Sequence, residues 1–249
     1  MQNVAASKNK LKETAGLKLK KYRDETGLFV IEGFKALEEA IESGIEIIEI
    51  FSLEKIDNDK IKCPVYIIDE KQMKKICQTS SPCGVLAVSK KRETCIEKFK
   101  TLNKIVLLDS VSDPGNLGTI IRSAAAFGIE GLILYGSCTD LYSSKVIRSA
   151  AGNFFKVPVI EIKSKEEFEK HFKDFIKISS SPSKEGNINL NEISKFKQYV
   201  IMLGSEAEGL SEELLKAADK NINIKMKKGT ESLNLAVCAS IVMYEACRK

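Results

Sequence analysis

The sequence predicts an α/β protein of two domains, the second built on a parallel sheet covered by helices. Beyond about residue 100, short aliphatic strands alternate regularly with helical segments. A shorter alternation of strands and helices precedes it, and the polar stretch 90–103 lies between the two. Because a chain of 249 residues exceeds the size at which cores usually divide, we expect domains at residues 1–100 and 101–249.

The first domain is predicted as a small α/β unit. Its expected strands are FVIEG, IEIIEIF, VYIID and GVLAVSK, and its expected helices are FKALEEAIES and EKQMKKIC. Strands that alternate with amphipathic helices are normally covered by those helices. The segment that follows, 90–103, suits a connector that includes a short helix.

The second domain is predicted to contain a sheet buried on both faces. Its strands are KIVLLD, GLILYG, KVPVIEI, DFIKISS, QYVIMLG and NINIKM. The helices between and after them are TIIRSAAAF, SSKVIRSAAG, KEEFEKHF, EELLKAA and SLNLAVCASIVMYEAC. Apolar residues surround most of the last helix, so it must pack against the sheet, a partner subunit, or both. Open parallel sheets bind ligands beyond the carboxyl ends of their strands, so the loops there are the places to search for a site.

Composition limits the possible classes of protein. Hydrophobic residues make up 43% and charged residues 29%, as in globular domains. No apolar run approaches the roughly 20 residues that span a bilayer, and the first residues resemble no signal peptide, so we expect a cytoplasmic protein. The 7 cysteines contain no CxxC pair, and the single histidine, His171, lies in a charged helical stretch. Neither a disulfide framework nor a metal site is expected.

Basic side chains are concentrated near the start of the chain. Within residues 1–23 a single acidic residue, Glu13, accompanies seven basic ones: Lys8, Lys10, Lys12, Lys18, Lys20, Lys21 and Arg23. Such a segment is typical of an arm that contacts phosphates. A solvated helix face explains the charge equally well.

The loop after KIVLLD reads SVSDPGNLGTIIRSAAAFG and contains no GxGxxG dinucleotide fingerprint. Asn116 lies where a helix should begin, so its plainest role is that of the N-cap. Arg122 follows within the helix, from where an arginine can reach a phosphate.

Two further loops carry polar residues after strands. After QYVIMLG, Gly204 would allow a ligand to approach the backbone, and Glu206 would project into the same crevice. The simpler alternative for Glu206 is a favourable position at a helix N-terminus. After NINIKM, either Ser232 or Asn234 is expected to cap the last helix, which leaves the other polar group available to a ligand.

Together the three loops resemble the SpoU, or TrmH-like, family of RNA ribose 2′-O-methyltransferases within the SPOUT class. DSVSDPGNLGTIIRSAAAFG resembles the first family motif, LGSEAEGL the second and ESLNLAVCASIVMYE the third, in the expected order. The N-terminal SKNKLKETAGLKLKKYRDETGLFVIEGFKALEEA is similar, more weakly, to the family's substrate-binding domain.

The resemblance implies a fold and an activity. The expected fold is a parallel-sheet SPOUT domain with a trefoil knot, preceded by a small α/β substrate-binding domain like ribosomal protein L30e. The implied reaction is S-adenosylmethionine-dependent methylation of a ribose 2′-hydroxyl in RNA, by a homodimer formed through the knot region, with no DNA or membrane partner. The resemblance implies a catalytic group made of Asn116, Arg122, Glu206, Ser232 and Asn234. The implied cofactor residues are Leu203, Gly204, Ile224, Met226 and Leu233. Contacts to RNA are expected from Lys18, Lys20, Lys21, Arg23 and Arg122.

The proton acceptor and the substrate stay open. Arginine is a poor base because its pKa lies above about 12, so Arg122 is expected to bind phosphate and to accept the proton only when so paired. Glu206 is the easier base if its carboxylate faces the hydroxyl rather than an amide. Ribosomal RNA is the expected substrate. Transfer RNA, methylation of a base, and a non-catalytic RNA-binding protein on the same fold are the alternatives.

Overall fold

The computed structural model describes residues 4–79, 81–181, 187–227, 229 and 232–248. The start of the basic segment, 1–3, and the first residue of the third motif, Glu231, therefore lie outside the described residues. The chain packs as two compact units, one of Met1–Glu93 with Asp140–Phe155, the other of Thr94–Thr139 with Lys156–Lys249. The division was expected near residue 100. The first unit instead ends at Glu93, and it also includes the later segment Asp140–Phe155.

The first unit is a mixed sheet with helices. Its strands occur in the order β1-β4-β3-β5-β2, and β5 runs antiparallel to both of its neighbours. The four predicted strands and both predicted helices are present, and two helices and a short strand precede them. The elements are β1 (Val4–Ala5), α1 (Lys8–Gly16), α2 (Lys20–Thr26), β2 (Leu28–Glu32), α3 (Phe34–Glu42), β3 (Ile47–Ser52), β4 (Val65–Ile67), α4 (Glu70–Ile76) and β5 (Val85–Lys90).

Aromatic packing explains why the segment Asp140–Phe155 belongs to this unit. The Tyr142 ring lies 4.8 Å from that of Phe29 and 5.7 Å from that of Phe154, centroid to centroid. Arg92 adds hydrogen bonds to the carbonyls of Phe155 and Ser43, both at 3.1 Å. These contacts join positions far apart in sequence, which local periodicity does not reveal.

Arg23 belongs to the same packing and differs from its expected role. Its side chain is 4% exposed, forms an ion pair with Asp140 and donates to the carbonyl of Leu17. A guanidinium enclosed in this way is not available to RNA. The prediction that Arg23 contacts RNA is therefore corrected: the residue holds the first unit together.

The second unit contains the predicted parallel sheet. Its strands occur in the order β11-β9-β10-β6-β7-β8, and every recorded pair is parallel, which confirms the expectation. The elements are α5 (Ile96–Phe99), β6 (Lys104–Asp109), α6 (Pro114–Phe127), β7 (Gly131–Tyr135), α7 (Ser144–Ser149, in the segment packed with the first unit), β8 (Val159–Ile162), α8 (Lys165–Phe172), β9 (Ile176–Ser180), β10 (Tyr199–Gly204), α9 (Glu212–Ala217), β11 (Lys220–Ile222) and α10 (Leu235–Cys247). Short 3-10 helices cover Asn153–Phe155 and Leu190–Lys195.

The strand order determines where a ligand can bind. From β6 the chain proceeds to β7 and β8 on one side, and β10 then pairs with β6 on the other, with Gly204 opposite Asp109. Such a switch point leaves a crevice at the carboxyl ends of the two central strands. The first and second motifs both begin at this crevice.

The final helix, α10, is only partly covered within the chain. It packs against α6, where the Ser123 and Ser240 hydroxyls lie 2.7 Å apart. Its Val237 and Tyr244 are 48% and 50% exposed. The sheet and α6 therefore cover one face of this apolar helix, as expected, and another face remains open.

Two features are absent from the described residues: a membrane-spanning helix and a cluster of metal-binding side chains. No helix there has the length and apolar character needed to cross a bilayer. No group of three or more His, Cys, Asp or Glu side chains there is arranged to hold a metal ion.

Candidate active site

The first motif forms the N-terminal turn of α6. Asp113 is the N-cap, and its Oδ1 accepts the backbone N–H of Asn116 at 2.8 Å, while Pro114 occupies the first helical position. The interpretation of Asn116 as the N-cap is therefore wrong, because the helix begins earlier at Pro114. Since Asp113 provides the cap, the Asn116 side chain is free to reach the second motif.

The second motif is a tight hairpin. Ser205 and Gly209 exchange two backbone hydrogen bonds of 3.1 and 2.9 Å, and Gly209 has φ of +71°. A Cβ at Gly204 would overlap the backbone of Gly209, so only glycine fits there. Glu206 follows at the turn, and α9 begins only at Glu212. Glu206 therefore does not lie at the N-terminus of the helix that follows it in sequence, α9, but its carboxylate does contact the N-terminus of α10.

The third motif begins α10 with Asn234. The Asn234 Oδ1 accepts the N–H groups of Ala236 at 2.9 Å and Val237 at 3.3 Å. Of the two candidates, Ser232 and Asn234, the N-cap of α10 is therefore Asn234. Ser232 is exposed and lines the cleft described below.

One carboxylate oxygen joins all three motifs. The Glu206 Oε1 accepts Asn116 Nδ2 at 3.0 Å, Asn234 Nδ2 at 2.8 Å and the backbone N–H of Leu235 at 3.1 Å. Asn234 Nδ2 also donates to Asn116 Oδ1 at 3.0 Å. This oxygen faces amides and not an open position, which is the arrangement of a residue that holds others in place.

A cleft of about 520 Å³ lies on one side of this network. Burial raises the pKa of the Cys238 thiol in its wall, which keeps that side chain neutral. Ser180, Ser181 and Ser205 add polar residues to the lining of the cleft. Glu206 and Ser232 also line this cleft. The lining includes all the predicted cofactor residues: Leu203, Gly204, Ile224, Met226 and Leu233.

A second cleft, of about 260 Å³, adjoins the first. It is lined by Asn116 and by the loop that follows β6, including Ser110 and Ser112, and it shares Glu206 with the larger cleft. The hydrogen-bonded network therefore forms part of the wall between two adjacent openings.

Asp109 was missed at the sequence level. It is 3% exposed, and its Oδ2 accepts the backbone N–H of Ser211 at 2.8 Å while Oδ1 accepts the Ser110 hydroxyl at 3.0 Å. It thereby links the end of β6 to the hairpin that carries Glu206. A carboxylate that ends a buried apolar strand, LLD, was the available signal.

The other predicted residues lie apart from this cluster. Arg122 is exposed on α6 and is absent from the described linings of both clefts. Lys18, Lys20 and Lys21 are exposed in the first unit, with Lys20 paired to Asp24 at 2.9 Å. Their proposed contacts with RNA stay predictions.

Comparison with known families agrees with the motif assignment. Residues 103–244 match the SpoU rRNA Methylase family. The chain belongs to this family. Residues 8–87 match the MRM3-like substrate binding domain, so the SpoU domain here follows a domain of that kind.

Individual relatives cover almost the whole chain. The 23S rRNA (guanosine(2553)-2′-O)-methyltransferase RlmP of Bacillus subtilis is 32% identical over 98% of this chain and 98% of its own. The AdoMet-bound rRNA methyltransferase of Sinorhizobium meliloti is 30% identical, with a TM-score of 0.88 over 99% of this chain and 97% of its own. The SpoU methyltransferase AviRb of Streptomyces viridochromogenes is 22% identical, with a TM-score of 0.86 over 98% of both chains, and shares the fold.

Proposed function

We propose that the protein transfers a methyl group from S-adenosylmethionine to a ribose 2′-hydroxyl of ribosomal RNA. The observation that carries this proposal is the network of Asn116, Glu206 and Asn234 between two adjoining clefts. A transfer between two ligands needs a binding position for each, with the reacting atoms in line. Membership of the SpoU family and the named activities of its relatives support the same reaction.

The larger cleft suits S-adenosylmethionine. Its volume of about 520 Å³ lies in the range of cofactor sites, and Leu203 and Leu233 provide apolar walls for an adenine ring. A Cβ at Gly209 would meet open space, which leaves the hairpin backbone accessible to a ligand. The cofactor supplies an electrophilic methyl group on a sulfonium.

The residues of the network position the acceptor. Because Glu206 Oε1 is engaged by three amide donors, we assign Glu206 to holding Asn116 and Asn234 in place and not to removing the proton. Arg122 binds the phosphate next to the target nucleotide, and it could accept the proton only as a neutral guanidine, because a guanidinium has no free lone pair. The acceptor must be RNA, since DNA has no 2′-hydroxyl, and we propose that the reaction takes place in the cytoplasm.

We also propose a homodimer that covers the open face of α10. Val237 and Tyr244 leave apolar surface there, and Arg122 lies on the adjacent helix, one residue before the Ser123 contact to α10. A Tyr244→Glu change would convert a dimer to a monomer, as measured by light scattering. The family's trefoil knot is proposed for the same region, and an experimental backbone trace through residues 182–186 tests it.

The activity is tested with labelled S-adenosylmethionine and ribosomal RNA from a strain that lacks this protein. We expect label in a dinucleotide that survives alkaline hydrolysis, because a methylated 2′-oxygen cannot attack the phosphate. Labelled mononucleotides would instead indicate base methylation, and label in transfer RNA alone would change the substrate. Failure to bind the cofactor in calorimetry would favour a non-catalytic RNA-binding protein.

A further inference from the structure

The charged side chains that line the two clefts are of one sign. Glu206 and Glu208 line both clefts, and Asp113 also lines the smaller one. Among the described residues of the two linings there is no lysine, arginine or histidine. Carboxylates repel the phosphates of RNA, so they add nothing to the binding of a polyanion. The charge of the clefts is therefore suited to a ligand that is itself positively charged.

Two of these three carboxylates are engaged in building the site. Asp113 is the N-cap of α6, and Glu206 Oε1 accepts three N–H donors from the other two motifs. Glu208 differs from both. Its carboxylate has no hydrogen bond or ion pair to the described part of the chain, and only its backbone N–H is bound, by the Ser205 Oγ at 3.2 Å. Its charge therefore remains available to a ligand.

The hairpin of the second motif determines where this carboxylate lies. Ser205 and Gly209 exchange two backbone hydrogen bonds on either side of the turn, so Glu208 is held in the turn between them. Because Glu208 lines both clefts, its charge is close to a ligand in either one. The residue is exposed, but a charge in solvent still acts over about 10 Å at 0.1 M salt.

We propose that Glu208 makes the larger cleft distinguish S-adenosylmethionine from S-adenosylhomocysteine by charge. The inference rests on the proposed function for the identity of the cofactor. Methyl transfer forms the bond from the 2′-oxygen to the methyl carbon and leaves the S–C bonding pair on sulfur, while the hydroxyl proton passes finally to water. A sulfonium cation thereby becomes a neutral thioether, and its attraction to Glu208 is lost. The product is held less tightly than the cofactor and leaves more easily.

The ratio of two dissociation constants tests this selection. Calorimetry on the full-length protein gives Kd for S-adenosylhomocysteine and for S-adenosylmethionine, and the first divided by the second is the preference for the cation. Glu208→Gln keeps the size of the side chain and removes its charge. We expect the preference to fall about 2-fold to 10-fold, as for one exposed charge. An unchanged preference would overturn the proposal.

A variant of opposite charge extends the series. Glu208→Lys should lower the preference further than Glu208→Gln, because an ammonium group repels the sulfonium. Damage to the shape of the cleft would weaken both compounds alike and leave the preference unchanged, which counts against the proposal. The ratio therefore separates charge from folding within each variant.

A third ligand separates the charge from the methyl group. Sinefungin carries a protonated amine on carbon where S-adenosylmethionine has its methylated sulfonium, so it has the charge without the sulfur. Its affinity should fall in Glu208→Gln by about the same factor as that of S-adenosylmethionine. If sinefungin instead behaves like S-adenosylhomocysteine, the cleft recognises the methyl group and the proposal is wrong.

A matched control lies four residues further along the chain. Glu212 is an exposed carboxylate at the start of α9, paired with Lys216 at 2.7 Å, and it lies outside the described linings of both clefts. Glu212→Gln should leave the preference unchanged. An equal fall in both variants would assign the effect to the overall charge of the protein and would contradict a specific role for Glu208.

Salt provides a second readout on the unchanged protein. Raising the salt from about 0.05 M to about 0.5 M shortens the range of exposed charges, so the preference for the cation should fall. In Glu208→Gln the same change should have a smaller effect. Equal salt dependence in the two proteins would contradict the proposal.

These measurements fail separately from the proposed function. If the ratio responds to Glu208→Gln but no methyl group is transferred to RNA, the proposed function is wrong and the charge selection stands. If methyl transfer is observed and the ratio does not respond, the selection is wrong and the proposed function stands. Failure of all three compounds to bind would refute both.

Discussion

The Nδ2 of Asn116 donates to Oε1 of Glu206 at 3.0 Å, across 90 residues of sequence. The contact exists because β6 and β10 are neighbours whose carboxyl ends coincide at Asp109 and Gly204. Each residue lies in a motif that carries little functional signal when it is read alone. Their meeting makes the network testable by single substitutions.

Glu206→Gln should reduce methyl transfer at least about 10-fold while the protein stays folded. Glutamine keeps one oxygen that can accept the same three N–H donors but removes the negative charge, so each of these charge-assisted hydrogen bonds is weakened. The measurement is kcat/KM with labelled cofactor. The control is Glu212→Gln, an exposed carboxylate on α9, and equal losses in the two variants would refute the positioning role.

Gly204→Ala should abolish cofactor binding. The added methyl group would overlap the backbone of Gly209, which can move only if the hairpin opens. Calorimetry with S-adenosylmethionine checks this. Gly44→Ala is the control: its φ is +69° but its Cβ would meet open space, so we expect about 1 kcal/mol of destabilisation and unchanged cofactor affinity.

Arg122→Ala should reduce transfer about 10-fold to 100-fold or more, with cofactor affinity nearly intact. The side chain is exposed on α6 and lies outside the described lining of the larger cleft, so its loss removes a contact to RNA. Methyl incorporation and calorimetry measure the two effects separately. A loss of cofactor affinity would contradict the assigned role, and Arg122→Lys should recover part of the activity because a positive charge remains.

Arg23→Ala should destabilise the protein by about 2–4 kcal/mol. It leaves Asp140 largely enclosed without its partner and removes a donor from the Leu17 carbonyl. Denaturant titration measures the change. Lys21→Ala, whose side chain is 89% exposed, should cost less than about 0.5 kcal/mol, and similarly small effects in both variants would contradict the structural role of Arg23.

Asp109→Asn should lower the free energy of unfolding by about 1–3 kcal/mol and weaken cofactor binding. The amide keeps the size of the side chain but loses the charge-assisted bond to the N–H of Ser211, which anchors the hairpin. Unfolding and calorimetry with the same variant test both parts. Unchanged cofactor affinity would show that the hydrogen bond from Asp109 does not hold the hairpin in the shape that binds the cofactor.

Local sequence patterns predicted the sheets well because strand and helix periodicities are local properties. The predicted helix KEEFEKHF coincides with α8 (Lys165–Phe172), where the cap Ser164 and the apolar spacing agree. The start of α6 was misplaced because Asp113 and Pro114 form a cap and first position ahead of Asn116. Such competing caps are distinguished only by the packing around them.

Long-range contacts were beyond reach of the sequence. The ion pair between Arg23 and Asp140 joins two segments through a buried charge, and no periodic pattern marks the partner of a single arginine. The resemblance to the SpoU family named Glu206 and Asn234 as site residues. Only the geometry shows that Glu206 Oε1 faces amides, which is the observation behind the positioning role proposed for it.

Asn234 serves as both the helix cap of α10 and a donor to Glu206. Aspartate and serine cap helices as well as asparagine, so selection for stability alone would exchange the three freely. Aspartate at this position would place two carboxylates together, and serine is too short to replace both amide contacts. Substitutions here would therefore leave a folded enzyme that has lost its alignment, so a stability screen would pass variants that an activity screen rejects.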